Sequence, residues 1–96
     1  MIKDYFVYIV KCADNSYYTG VTSNLEKRIN EHNSGKIAGY TSKRLPVSLE
    51  YSNRFTDINE AIRSEKQIKG WSRAKKEALI KGDFGALVSL SKSKKK

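Results

Sequence analysis

The sequence predicts an α+β domain: a small three-stranded antiparallel sheet flanked by helices, in the order β-β-α-β-α-α. Three observations carry this. Two β-branched and aromatic runs flank a three-residue turn near the start. Three later stretches open on Ser or Asp caps, and the first two carry apolar residues at helical spacing. The chain has 96 residues and is 39% hydrophobic, which suits one domain with a modest core. That domain is expected over residues 1–90, with a basic, disordered tail at 91–96.

Tyr5 to Cys12 reads as the first strand and Ser16 to Val21 as its return. Ala13-Asp14-Asn15 forms the turn, with Asn15 in the left-handed region. A three-residue loop of this kind pairs Cys12 with Ser16, Tyr8 with Gly20 and Val10 with Tyr18. Side chains alternate along a strand, so this register turns Tyr8 and Tyr18 to one face. A two-residue loop would send them to opposite faces. Gly20 has no side chain, so it leaves space above the sheet opposite Tyr8.

Ser23 is a good N-cap, and Glu26 three positions on completes a capping box. The helix is expected from Asn24 to about Ser34, with Gly35 as its stop. Leu25 and Ile29 point inward. Arg28 and His32 are four apart and share one side of the helix, bordering that apolar stripe. GKIAGYTSKRLP reads as a basic loop. Val47 to Asn53 is the third strand. Asp57 caps the next helix, with Glu60 three positions on, and Ile58, Ala61, Ile62 and Ile68 are its apolar positions. Gly70 ends that helix. Ser72 caps another that runs to about Lys81, and FGALVSL is expected to pack against the body.

Glu65 breaks the pattern. It lies three beyond Ile62 and three before Ile68, on the inward side of its helix. A buried unpaired carboxylate costs several kcal/mol, so Glu65 must be paired, protonated or bound to metal. A salt bridge to Arg28 or another cation is the structural alternative to a site.

Charge narrows the function. There are 19 Lys and Arg against 10 Asp and Glu, a formal +9. Four of the lysines lie at Lys92, Lys94, Lys95 and Lys96, and the remainder keeps a basic excess. Such a bias favours a polyanionic partner, nucleic acid first and an anionic membrane second. The cations expected to track phosphates are Lys36, Lys43 and Arg44 in the loop, and Arg63, Lys66, Lys69, Arg73, Lys75 and Lys76 on the later helices. A single cysteine, Cys12, excludes an internal disulfide framework and a cysteine-built zinc site. No apolar run approaches the roughly 18 residues that span a bilayer. MIKDYFVYIV does not read as a secretory signal, so a cytoplasmic location is expected.

Taken together, two phenols, a guanidinium, an imidazole and an inward carboxylate lie on elements that can pack together. Val7-Tyr8-Ile9 and Tyr18-Thr19-Gly20 resemble the two halves of the motif that names the GIY-YIG nucleases. Arg28 falls where that family has its catalytic arginine, and Glu65 falls where it has its metal-binding glutamate. The resemblance covers about residues 4–81. It is strongest for the small stand-alone UPF0213 group, along YTGVTSNLEKRINEHNSG and SEKQIKGWSRAKKEALI.

The resemblance implies a GIY-YIG fold and a DNA endonuclease that depends on one Mg²⁺ or Mn²⁺ ion held by Glu65. In this reading Tyr8 is the general base, Tyr18 orients water or phosphate, Arg28 contacts the phosphate and His32 relays a proton or bonds a tyrosine. Gly20 serves the motif structurally. Little sequence preference is expected, with DNA repair or processing as a setting, RNA left open as a substrate, and a monomer or weak dimer as the working form. The alternatives are a non-catalytic nucleic-acid-binding module and an interaction domain. Val7 and Thr19 depart from the motif's glycine and isoleucine. Val21, His32 and Glu77 stand where the excision-repair branch has lysine, tyrosine and, nearby, asparagine.

Overall fold

The structure is a computed structural model, and it describes residues 3–37 and 39–92. The hairpin comes first. Strands β1 (Tyr5–Lys11) and β2 (Tyr17–Thr22) pair antiparallel, with Tyr8 opposite Gly20 and Val10 opposite Tyr18. Asn15 takes φ 71°, the left-handed conformation that asparagine tolerates. The Cys12 N–H donates to Ser16 O at 2.8 Å and closes the loop. The odd register therefore holds, and both tyrosines lie on one face.

Helix α1 spans Leu25–Asn33 and is capped by Asn24, not by Ser23 as expected. The Asn24 N–H donates to Thr22 Oγ1, and the Asn24 side chain accepts from the Lys27 N–H. This carries the extended chain one residue further before the helix begins. Asparagine caps as well as serine, worth about 1 kcal/mol. Glu26 now sits one position too early to complete the capping box.

Strand β3 spans Ser48–Phe55, one residue later at its start and two later at its end than expected. Val47 is buried, but the Asn33 amide takes both its backbone groups: Asn33 Nδ2 donates to Val47 O and Val47 N–H donates to Asn33 Oδ1. Those bonds replace ladder bonds. At the other end Arg54 and Phe55 extend the pairing with Phe6 and Tyr5. The sheet order is β2-β1-β3, so the apolar β1 is central.

Helix α2 (Ile58–Lys69) starts on Asp57, whose carboxylate accepts from Asn59 N–H, and ends at Gly70. Helix α3 (Arg73–Lys81) starts on Ser72 and ends at Gly82, in the left-handed region. A fourth helix, α4 (Phe84–Lys92), covers FGALVSL, packs against α3 and runs into the expected tail. The rest of that tail, 93–96, lies outside the described residues.

The sheet is covered on both faces. Tyr8, Val10, Cys12 and Val47 form one buried cluster, against which Tyr18, Leu25, Ile29 and Leu45 pack. Val7, Ile9, Ala61 and Ile68 form the other, with Trp71, Leu79 and Ile80 against it. Of the four predicted apolar positions of α2, Ala61 and Ile68 are buried, Ile62 is half-buried and Ile58 is exposed. Ile58 opens the first turn, where the helix has not yet reached the sheet's centre. Among the described residues no helix is long and apolar enough to cross a membrane.

Candidate active site

The central strand carries Tyr8 into the layer between sheet and α1. It is fully buried, and its hydroxyl lies 2.9 Å from His32 Nε2. Helix periodicity explains the partner, because His32 follows Ile29 on the inward side of α1. The other ring nitrogen, His32 Nδ1, lies 2.8 Å from Thr41 Oγ1. Both His32 (1% exposed) and Thr41 (2%) are buried. Tyr8, His32 and Thr41 thus form a closed hydrogen-bonded row. One ring N–H donates to one hydroxyl, and the other ring nitrogen accepts from the second.

The space that Gly20 leaves above the sheet opposite Tyr8 is not open. The Tyr8 ring itself fills it. A Cβ on Gly20 would sit 2.6 Å from Tyr8 Cζ and 3.0 Å from Cε2. Only glycine lets the ring lie that close to the neighbouring strand.

Tyr18 packs edge-on against His32, with ring centroids 5.5 Å apart, and stacks on Tyr40 at 6.1 Å. Tyr40 opens a 3-10 turn, Tyr40–Lys43, that also supplies Thr41. The basic loop is therefore folded onto the site. Arg44 anchors it: its Nε donates to Asp14 Oδ2 at 3.0 Å, and its guanidinium lies 4.0 Å from the centre of the Tyr40 ring.

Arg28 lies beside Tyr8 without a hydrogen bond of ordinary geometry, and its Nε is buried with no partner. One terminal nitrogen pairs loosely with Glu31 at 3.5 Å. Burial pushes the Tyr8 phenol above its usual pKa, while the Arg28 and Lys69 charges pull the other way. Burial, seconded by the Arg28 charge, pushes His32 below its usual pKa. The imidazole is thus held neutral near pH 7, with one ring nitrogen unprotonated.

Glu65 is 13% exposed, in keeping with the inward position read from periodicity. Its partner is not Arg28. Lys69, one turn on, places Nζ 2.7 Å from Glu65 Oε2. The same ammonium lies 5.6 Å from the centre of the Tyr18 ring, so Glu65 and Lys69 border the tyrosine site. Among the described residues no three His, Cys, Asp or Glu side chains gather as a metal cage. The Glu65 carboxylate is the type of ligand that suits a hard ion such as Mg²⁺, which takes one or two carboxylates and keeps several waters, but here its charge is paired with Lys69.

The other expected cations divide. Lys36, Lys43, Arg63 and Lys66 are exposed. Arg73 is exposed but clamps the hairpin: Nε donates to Glu77 Oε2 at 3.0 Å, a terminal nitrogen donates to Asn15 O, and the guanidinium covers Tyr17. The Tyr17 hydroxyl also reaches Glu77. Lys75 does not face a ligand as expected. It is only 9% exposed, with its ammonium 4.4 Å from the centre of the Trp71 ring. Trp71 lies four residues earlier, so the lysine stem packs along the indole. Lys76 is half-buried, and that burial, with Lys69 nearby, lowers its pKa.

Sequence reasoning missed Thr41 and Tyr40. Nothing local marks either residue, because each acquires its partner only when the loop folds over α1 and β2.

The chain is similar to known proteins along most of its length. Residues 4–78 match the GIY-YIG catalytic domain. A UPF0213 protein of Natronomonas pharaonis is 45% identical over 88% of this chain and 100% of its own length. One from Staphylococcus haemolyticus is 53% identical over 79% of this chain and 93% of its own. Solution structures show the same fold. A UPF0213 protein of Bacillus halodurans gives a TM-score of 0.54 at 44% identity, covering 81% of this chain and 83% of its own. A protein from E. faecalis gives 0.60 at 36% identity, covering 88% and 92%. These matches span almost the whole folded region and both tyrosine strands, so the chain belongs to the GIY-YIG nuclease family, in its small UPF0213 group.

Proposed function

We propose that this protein is a metal-dependent endonuclease that hydrolyses DNA phosphodiester bonds with little sequence preference. Family membership supports a nuclease-type function on a nucleic acid. The observation that carries the finer reading is the convergence of Tyr8, Tyr18, Arg28 and His32, with Glu65 at their border.

Hydrolysis needs a water stripped of a proton. A free phenol titrates near pH ~10, and burial makes Tyr8 a still weaker acid. Tyr8 therefore accepts a proton from water only by passing its own to a neighbour. His32 Nε2 stands 2.9 Å away and is neutral. In this scheme the water proton goes to the Tyr8 oxygen while the Tyr8 proton moves to Nε2. Arg28 and Lys69 stabilise negative charge on the phenolic oxygen during the transfer. The Arg28 side chain is about a third exposed and offers its terminal guanidinium nitrogens to the phosphate. Tyr18 lies against His32 and orients the attacked group. Glu65 would hold the divalent ion, which when bound supplies charge relief at the phosphate and leaving oxygen.

Lys36, Lys43 and Arg63 are exposed and free to track phosphates. Binding of this kind weakens steeply with salt. The Glu65–Lys69 contact favours a second reading, a non-catalytic binding module, because it satisfies the carboxylate without metal. One assay separates the two. Varied DNA and RNA substrates are incubated with and without Mg²⁺ or Mn²⁺, beside Glu65→Ala. Metal-dependent cutting that falls at least about hundredfold in Glu65→Ala supports the nuclease. Clean protein that binds but never cuts, or a fully active Glu65→Ala, rejects it.

A further inference from the structure

The contact between Glu65 and Lys69 has a consequence for how a divalent ion would arrive. Glu65 is 13% exposed, with Lys69 Nζ at 2.7 Å. Among the described residues, it belongs to no cluster of three or more His, Cys, Asp or Glu side chains that could share the load of a dication. An ammonium and a dication held on the same carboxylate repel at short range, so the two compete for Glu65.

We infer that Lys69 is the resident counter-cation of Glu65, exchanged for the divalent ion and then retained over the site as a phosphate-facing charge. This rests on the reading of Glu65 as the metal-holding carboxylate.

The geometry allows the second half of the exchange. Lys69 is half exposed on a flexible four-carbon stem, so it leaves Glu65 without disturbing the core. Its ammonium already lies 5.6 Å from the centre of the Tyr18 ring. A small rotation keeps it beside Tyr18, where a bound phosphate would bring new negative charge. Without nucleic acid, Lys69 competes with metal. With nucleic acid, the phosphate draws Lys69 away, and metal and substrate binding reinforce each other.

The test measures Mn²⁺ binding to DNA-free protein by electron paramagnetic resonance at constant ionic strength. Wild type is compared with Lys69→Gln, Glu65→Gln and Lys66→Gln. Lys66 adjoins Glu65 in sequence, is exposed, and controls for the loss of one charge. Lys69→Gln is expected to bind Mn²⁺ about two- to fivefold more tightly, the range for releasing a carboxylate from an exposed ion pair. Lys66→Gln should change it less than about 1.5-fold, since exposed charges beyond contact are screened. Glu65→Gln should abolish the site.

Duplex binding in EDTA provides the opposite sign: Lys69→Gln should weaken it about twofold or more. Equal Mn²⁺ affinity in wild type and Lys69→Gln overturns the exchange while leaving Glu65 as a metal ligand. An equal gain in Lys66→Gln and Lys69→Gln also overturns it. If wild type and Lys69→Gln both bind no better than Glu65→Gln, the metal reading itself fails. Circular dichroism on each variant confirms that the fold is retained.

Discussion

Replacing Gly20 with alanine would put a methyl group 2.6 Å from Tyr8 Cζ and 3.0 Å from Cε2. Carbon atoms in contact rest about 3.5–4.0 Å apart. To clear the methyl, the Tyr8 ring must move by about 1 Å, judged from that spacing. It has little room, being fully buried with its hydroxyl 2.9 Å from His32 Nε2. A shift of that size breaks the hydrogen bond. Overpacking costs about 1–3 kcal/mol. The lost buried hydrogen bond adds about 1 kcal/mol. The stiffer unfolded chain returns about 0.5 kcal/mol. The net loss is therefore about 1.5–3.5 kcal/mol, a large part of the roughly 5–15 kcal/mol that holds a small domain together. For a chain near 100 residues this lowers Tm by about 7–17 °C. Thermal and urea unfolding followed by circular dichroism measure it. In a Tyr8→Leu background the ring is gone, and Gly20→Ala should then cost less than about 1 kcal/mol. A Gly20→Ala protein that melts within about 2 °C of its parent would refute the claim that the ring lies on this glycine.

Two further outcomes follow from the buried row. Thr41→Val keeps shape but removes the hydroxyl beside His32 Nδ1, leaving a buried nitrogen unpaired. It should cost about 1–3 kcal/mol in urea unfolding, with Thr41→Ser recovering most of it. His32 has a lowered pKa because it is buried, with Arg28 contributing. Unfolded, it regains an ordinary value near ~6.5 and binds the extra proton. Its contribution to stability is therefore complete above that pH and declines as pH falls below it. Urea midpoints should drop from pH 7 toward pH 5, and His32→Gln should flatten this part of the profile. An unchanged slope in the variant would mean His32 is not the group responsible.

Much of this fold could be read locally. The odd hairpin register followed from one asparagine able to take positive φ, and from the alternation of side chains along strands. Helix stops at Gly35 and Gly70, and starts at Asp57 and Ser72, followed from backbone chemistry of single residues. The errors lay where two local solutions are nearly equal in free energy. Ser23 and Asn24 both cap well, and the Thr22 hydroxyl decided between them. Val47 has strand character, but the Asn33 amide claimed its backbone.

The candidate site divides along the same line. Tyr8, Tyr18, Arg28, His32 and Glu65 could be singled out because each is a polar group at an inward-facing or motif position. Their partners could not. Whether Glu65 met Arg28 or Lys69, whether Lys75 faced solvent or Trp71, and whether Thr41 touched anything depended on helix packing and on where the basic loop came to rest. Periodicity and capping act over a few residues, so they specify the order of elements and which face each side chain takes. Pairing across elements depends on distances set by the assembled core. That is why the chain's own residues announced a tyrosine-lined site beside a misplaced carboxylate, while packing alone closed the Tyr8–His32–Thr41 row and laid Lys69 on Glu65.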